Sequence, residues 1–227
     1  MTAAAGIKRA ATMTEAAAQG AVPATPVRVK VWDPLVRVFH WGLVGVFAVA
    51  WLSAEDLSTV HEIAGYGVAG LVAFRVFWGL LGSRYARFAQ FLKGPAATIA
   101  YLRAMMQRKE RRYLGHNPAG AAMIVALLIA LSGTGFTGWL SQEPDRLAML
   151  PDMPQIVSPV WADGDNDDTE NGDSALKDVH EVFANLLLLL VALHVGGVVL
   201  ASIRHRENLV ASMMTGTKRA PQAGDVA

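Results

Sequence analysis

Four blocks of apolar residues, separated by polar and charged segments, dominate the pattern of hydrophobic and polar positions along the chain. The blocks lie at about 35–53, 60–81, 118–140 and 179–202. Each block has about 20 residues, the length at which an α-helix crosses a hydrocarbon core about 30 Å thick. The pattern therefore predicts an all-α fold, an integral membrane bundle of four helices.

The segments outside these blocks divide the chain into a membrane domain and two tails. Residues 1–26 are rich in Ala and Thr and lack the continuous apolar run of a secretory signal peptide, so we expect a disordered tail. The four-span domain is expected over residues 27–214, and a second tail over residues 215–227. Between the third and fourth blocks, residues 141–178 form a predicted loop with ten acidic residues.

Positive charge is distributed unevenly among the connecting segments. The approach to the first block, the segment between the second and third blocks and the C-terminal tail are basic. The other two connections are poor in Lys and Arg. Because Lys and Arg concentrate on the cytoplasmic side of membrane proteins, we expect both termini in the cytoplasm and the acidic loop outside.

Composition narrows the chemistry that the chain can perform. None of the 227 residues is a cysteine. Disulfides, iron–sulfur clusters, thiolate zinc sites and the covalent attachment of c-type haem are therefore excluded. The net charge of +1 says little about binding partners, since positive and negative residues are segregated along the chain. We expect no nucleic-acid partner.

Four histidines occupy two depths of the predicted bundle. His40 opens the first block at the cytoplasmic end, whereas His61 and His180 open the second and fourth blocks at the external end. His194 follows His180 by fourteen residues, which places it on the same helix face about 21 Å deeper. The sequence therefore predicts two level pairs, His40 with His194 and His61 with His180.

Paired imidazoles at membrane depth favour a particular kind of cofactor. Ionisable residues inside a membrane are costly and usually functional. Two facing imidazoles with no thiolate or carboxylate beside them suit the two axial positions of haem iron. We therefore expect two haems b, one held by each pair.

Other residues fit a haem at these positions. Gly65 lies one turn after His61, and Gly196 and Gly197 follow His194, so the missing Cβ atoms would let a macrocycle lie against each helix. Helix–helix packing is the alternative explanation for these glycines.

Two arginines are candidate partners for the haem propionates. Arg75 lies fourteen residues after His61 at the cytoplasmic level, and Arg37 lies about one turn before His40. A plain topology-setting charge is an equal alternative for Arg37. The position of His116 in the sequence favours a capping or interface role for it. The position of His205 favours a place in the tail.

The same residues resemble the prokaryotic cytochrome b561 family. The resemblance lies in VWDPLVRVFHW, VHEIAGYG, GHNP and HEVFANLLLLLVALH, in this order, and it covers about residues 31–214. It extends equally to the b-type cytochrome subunit of nickel–iron hydrogenases, in the same superfamily. The resemblance implies a four-helix membrane core with two b-type haems. It also implies four axial ligands and an arginine near a propionate, which match His40, His61, His180, His194 and Arg75.

The resemblance also implies a function, with several points left open. Family members pass electrons between a membrane quinone and a redox partner or small oxidant. The alternative is a membrane anchor that serves a hydrogenase or another dehydrogenase. A partner, either an external cytochrome or a dehydrogenase subunit, is expected to dock near residues 141–178. Whether the chain acts as a quinone-linked oxidoreductase in its own right stays open, as does a homodimer.

Overall fold

The computed structural model describes residues 27–142 and 168–226, with side chains from residue 175 onward in the second range. The predicted N-terminal tail, residues 1–26, lies outside the described residues. So does most of the acidic loop, and with it the predicted docking region.

Helices make up most of the described chain, and four of them are long and apolar enough to cross a membrane. These spans are Pro34–Leu52, Ser58–Leu81, Pro118–Leu140 and Ala175–Arg204. The predicted four-helix membrane architecture is therefore confirmed. In chain order the elements are β1 (Arg28–Lys30), α1 (Pro34–Leu52), α2 (Ser58–Leu81), α3 (Phe88–Phe91), α4 (Pro95–Met106), α5 (Pro118–Leu140), α6 (Asp168–Arg204), α7 (Leu209–Thr215) and β2 (Thr217–Arg219).

Two of the spanning helices begin at a polar cap followed by proline. The Asp33 side chain accepts a hydrogen bond of 2.9 Å from the Val36 amide, ahead of Pro34 in α1. The Asn117 side chain accepts one of 2.7 Å from the Gly120 amide, at the start of α5. Such caps satisfy amides that have no partner within the helix, and proline there loses no hydrogen bond.

The fourth spanning helix begins earlier than the sequence pattern indicated. Helix α6 starts at Asp168, so residues 168–178 are helical although the pattern assigned them to the loop. The apolar block marks only the part of a helix that lies in hydrocarbon. Ala175, Leu176 and Lys177 are strong helix formers, which allows the helix to continue beyond that block.

A small apolar core fills the middle of the bundle. It joins α2, α5 and α6, and Leu187 of α6 is only 2 % exposed. Leu187 lies seven residues from His180 and seven from His194, so this layer lies between the two histidine levels. The buried members of the core are Val68, Val72, Ala130, Leu131 and Leu187.

Helix α6 packs along α5, and α2 packs along both α1 and α5. Helix α6 approaches α1 and α2 less closely than it approaches α5.

A folded cap covers the end of the bundle at which α1 begins and α6 ends. Strands β1 and β2 pair antiparallel, with Val29 opposite Lys218. The amides of Val31 and Trp32 both donate to the Gly216 carbonyl, at 2.9 and 3.1 Å. The C-terminal segment is thus tied to the approach to α1.

Arg112 holds this cap together through two carboxylates. Its guanidinium donates to Glu207 at 2.9 Å and to Asp225 at 2.5 Å, and all three side chains are buried. A further bond of 3.0 Å goes to the Arg219 carbonyl. Burial raises the pKa of Glu207, but the hydrogen bonds from Arg112 and the Arg219 amide outweigh it and hold that pKa below the ordinary 4.5.

We expect Arg112→Ala to destabilise the protein by about 3 kcal/mol, because it leaves two buried carboxylates without a cation. This corresponds to a fall of roughly 6–12 °C in Tm for a chain of this size, measured by circular dichroism in detergent. Arg111→Ala is the control, since Arg111 is exposed and makes only one side-chain hydrogen bond, to the Gly224 carbonyl. Equal falls in Tm for the two variants would contradict the prediction.

Candidate functional site

His40 of α1 and His194 of α6 form the inner histidine pair, at the end of the bundle nearer the cap. The ring centres of His40 and His194 lie 6.4 Å apart, with their planes inclined at 51°. The Nδ1 atom of His40 is buried, and the part of the chain that the structure describes offers it no hydrogen-bond partner.

His61 of α2 and His180 of α6 form the outer histidine pair, at the end of the bundle farther from the cap. The ring centres of His61 and His180 lie 6.1 Å apart, with their planes at 78°. The structure therefore brings together the same two pairs that depth alone suggested. Their role as metal ligands stays a prediction.

Both separations suit a metal ion between the rings. An imidazole nitrogen binds a transition metal at about 2 Å, so two imidazoles on opposite sides of one ion have ring centres roughly 6 Å apart. Among the described residues, no group of three or more His, Cys, Asp or Glu side chains could hold a metal ion. Each pair supplies two imidazole donors at a suitable separation. The remaining positions of a metal ion would be left to a planar ligand such as a porphyrin.

Backbone carbonyls fix the ring nitrogens of the outer pair. The Nδ1 atom of His61 lies 2.7 Å from the Ala50 carbonyl oxygen, and that of His180 lies 3.0 Å from the Thr134 carbonyl oxygen. Because a carbonyl oxygen only accepts, Nδ1 must carry the proton in both rings. In the neutral tautomer, Nε2 then has the lone pair that a metal requires.

Helix α5 gives His180 two further supports. The Thr137 hydroxyl donates to the Gly133 carbonyl at 2.8 Å, so it can accept from His180 Nδ1 at 3.2 Å. At Gly138, an added Cβ would lie 2.9 Å from His180 Cε1. Sequence reasoning missed Ala50, Thr134, Thr137 and Gly138. For Thr134, Thr137 and Gly138, the one signal in the sequence was the run of small and hydroxyl residues in LSGTGFTGW.

Three glycines close to the histidines along the chain have open surroundings. At Gly65, Gly196 and Gly197, an added Cβ would meet no atom within 4 Å. These positions are on α2 and α6, the helices that carry His61, His180 and His194. The paired imidazoles and these open helix surfaces are compatible with a bound haem.

Arg75 is a buried cation without a full set of partners. It is 4 % exposed, its guanidinium lies 4.8 Å from the centre of the Phe88 ring, and Nη1 has no hydrogen-bond partner among the described residues. A buried cation with an unsatisfied N–H is costly at membrane depth, so the site favours an anionic group nearby.

The contacts of Arg37 differ from those of Arg75. Its Nη1 atom donates to the Met214 carbonyl at 2.6 Å, and its Nε atom is buried without a partner. The structure therefore places Arg37 against α7, in the cap. Its predicted contact with a propionate stays untested.

His116 lies between two aromatic rings, next to the inner level. Its ring centre is 4.6 Å from that of Trp32 and 4.5 Å from that of Phe91. Burial, together with the nearby charges of Arg75 and Lys218, lowers the pKa of His116 to about 3. His116 is therefore neutral at physiological pH. His205 follows α6 and belongs to neither pair.

One comparison with known proteins finds a relative of this chain. The sequence profile of the family described as prokaryotic cytochrome b561 matches residues 31–216. No curated protein and no solved structure matches the chain.

The low pKa of His116 predicts a loss of stability in mild acid. The unfolded chain takes up a proton near pH 6.5, whereas the folded chain does so only near pH 3, so stability falls as the pH drops below 6.5. At about 1.4 kcal/mol per pH unit, the loss from this group reaches about 2 kcal/mol at pH 5. Between pH 7 and pH 5, we expect the Tm of the His116→Gln variant to fall less than the Tm of the parent chain. A parallel pH dependence in both proteins would contradict this assignment.

Proposed function

Because the chain belongs to the prokaryotic cytochrome b561 family of membrane b-type cytochromes, we propose that it carries electrons between two haems b in the bacterial inner membrane. The observation that carries this proposal is the pairing of four histidines at two levels, with ring centres 6.4 and 6.1 Å apart.

In this proposal His40 and His194 hold the inner haem, and His61 and His180 hold the outer one. A b-type haem supplies reversible one-electron chemistry at its iron when bound. Because two histidines would hold each haem, neither site would offer a metal position to a substrate. The function that results is electron transfer rather than chemistry on a molecule bound to iron.

The remaining residues of the sites orient the ligands and keep water out. The carbonyls of Ala50 and Thr134 hold the outer rings in the tautomer that presents Nε2. The apolar layer around Leu187 keeps the region between the two levels dry. Arg75, buried and short of a partner, is the side chain that we assign to a propionate of the inner haem.

We further propose the quinone pool as the membrane partner and an electron partner at the external, acidic side. The first rests on the family, and the second on the ten acidic residues of positions 141–178, whose negative charge suits a basic redox protein. The basic approach to α1 and the basic C-terminal tail favour a cytoplasmic position for both termini.

A reduced-minus-oxidised spectrum of the purified protein tests the haem assignment. We expect a b-type α-band and two haems per chain. His40→Ala and His194→Ala should each remove the same haem, whereas His61→Ala and His180→Ala should each remove the other. His205→Gln, at a histidine outside both pairs, is the control and should keep both haems.

Two results would contradict this proposal. One is a haem content near zero in the parent protein. The other is loss of the same haem from His194→Ala and His61→Ala, which would show that the pairs are wrong.

Arg75→Ala should lower the midpoint potential of the inner haem, because a nearby positive charge favours the reduced form. The scale is about 60 mV for each 1.4 kcal/mol of interaction lost in a one-electron couple. A potentiometric titration followed at the α-band measures it, with Arg75→Lys as the charge-conserving control. The outer haem, about 21 Å away along α6, should change little. An unchanged inner potential would mean that Arg75 serves another partner.

A further inference from the structure

We propose that a cleft at the cap end of α1 and α2 binds the phosphate headgroup of an anionic phospholipid. The cleft has a volume of about 350 Å³ and lies between the approach to α1, the segment after α2 and the end of α7. This site does not depend on whether the histidine pairs hold haem.

Three cations line the cleft and lack an anionic partner. Lys30, Arg37 and Arg84 all contribute to its wall. Within the described ranges none of them forms an ion pair, and Arg84 makes a cation–π contact of 5.7 Å with Tyr85. Such a concentration of uncompensated cations at one concave surface fits an anion.

The one carboxylate in the cleft wall is already engaged. Asp33 accepts from the Val36 amide at 2.9 Å, from Trp78 Nε1 at 3.3 Å and from the Ser83 hydroxyl. Burial raises the pKa of Asp33, but these hydrogen bonds together hold it below its ordinary value, so the group stays ionised. One carboxylate against three cations leaves two positive charges in the cleft without a counterpart.

Arg37 provides an unused donor at the same place. One of its nitrogens, Nη1, is fixed on the Met214 carbonyl, while the buried Nε has no partner. A buried N–H that makes no hydrogen bond is energetically unfavourable, so a ligand oxygen that accepts from it would remove that cost. Gly216 closes the wall in a left-handed conformation, where a Cβ would lie 2.7 Å from the Trp32 carbonyl oxygen.

The surroundings distinguish a lipid from a free phosphate. Apolar side chains that face outward begin next to the cleft on both helices. Leu35 and Val38 of α1 are 44 % and 69 % exposed, and Leu81 at the end of α2 is 69 % exposed. Trp32 and Tyr85 in the wall are the residue types that favour the membrane–water boundary. A phosphate with acyl chains matches this sequence of polar cleft and apolar helix surface, whereas an uncharged quinone headgroup would leave the cations unpaired.

The test measures retention of phosphatidylglycerol by the purified full chain, using native mass spectrometry after transfer from mixed micelles. We expect selective retention over phosphatidylcholine. The double variant Lys30→Gln/Arg84→Gln should lose affinity roughly tenfold to thirtyfold, since each cation near the membrane surface contributes on the order of 1 kcal/mol to anionic-lipid binding. Arg87→Gln is the matched control, an exposed cation three residues from Arg84 that does not line the cleft, and should retain the lipid. Arg84→Lys should also retain it.

Three outcomes would overturn the proposal. The first is equal retention of phosphatidylglycerol by the double variant and by Arg87→Gln, with both proteins melting like the parent chain. The second is binding of inorganic phosphate or glycerol phosphate as tightly as the whole lipid, which would assign the cleft to a soluble anion. The third is displacement of the lipid by a short-chain quinone, which would assign it to an uncharged ring.

Discussion

The structure depends on one constraint, the cost of placing polar nitrogen atoms in hydrocarbon. Every N–H group at membrane depth needs an acceptor, because no water is present to supply one. At the outer level α1 and α5 meet this need with the carbonyls of Ala50 and Thr134. At the inner level, the described residues offer no hydrogen-bond partner to His40 Nδ1 or Arg75 Nη1. The two levels therefore differ in chemistry although both are built from a histidine pair.

The spans and the histidine pairs could be predicted from the sequence because both follow from periodic features. Apolar length gives the spans, the distribution of Lys and Arg gives their direction, and helical rise then gives each histidine a depth. The acceptors for His61 and His180 could not be predicted in this way. They are backbone carbonyls, which every residue has, so only the packing of α2 on α1 and of α6 on α5 selects them.

The cap was hidden from sequence reasoning for another reason. The positive-inside rule treats Arg112 and Lys218 as charges that set topology, and it ignores what each one contacts. In the structure Arg112 meets Glu207 and Asp225, which are 95 and 113 residues away along the chain. Burial lowers the pKa of Lys218 to about 8. Charges that sequence analysis interpreted only as topology signals thus also fold the segment around them.

Helix α6 carries one histidine of each pair, and this couples the two levels mechanically. Gly133 and Gly138 of α5 receive Phe183 and His180 at distances that leave no room for a Cβ, which fixes the axial register of α6. A slip of α6 along its axis would displace His180 and His194 by the same amount. Enlarging either glycine should therefore disturb the inner pair as well as the outer one, although only the outer pair is nearby. The spacing between the two levels is a property of one rigid rod and its contact with α5.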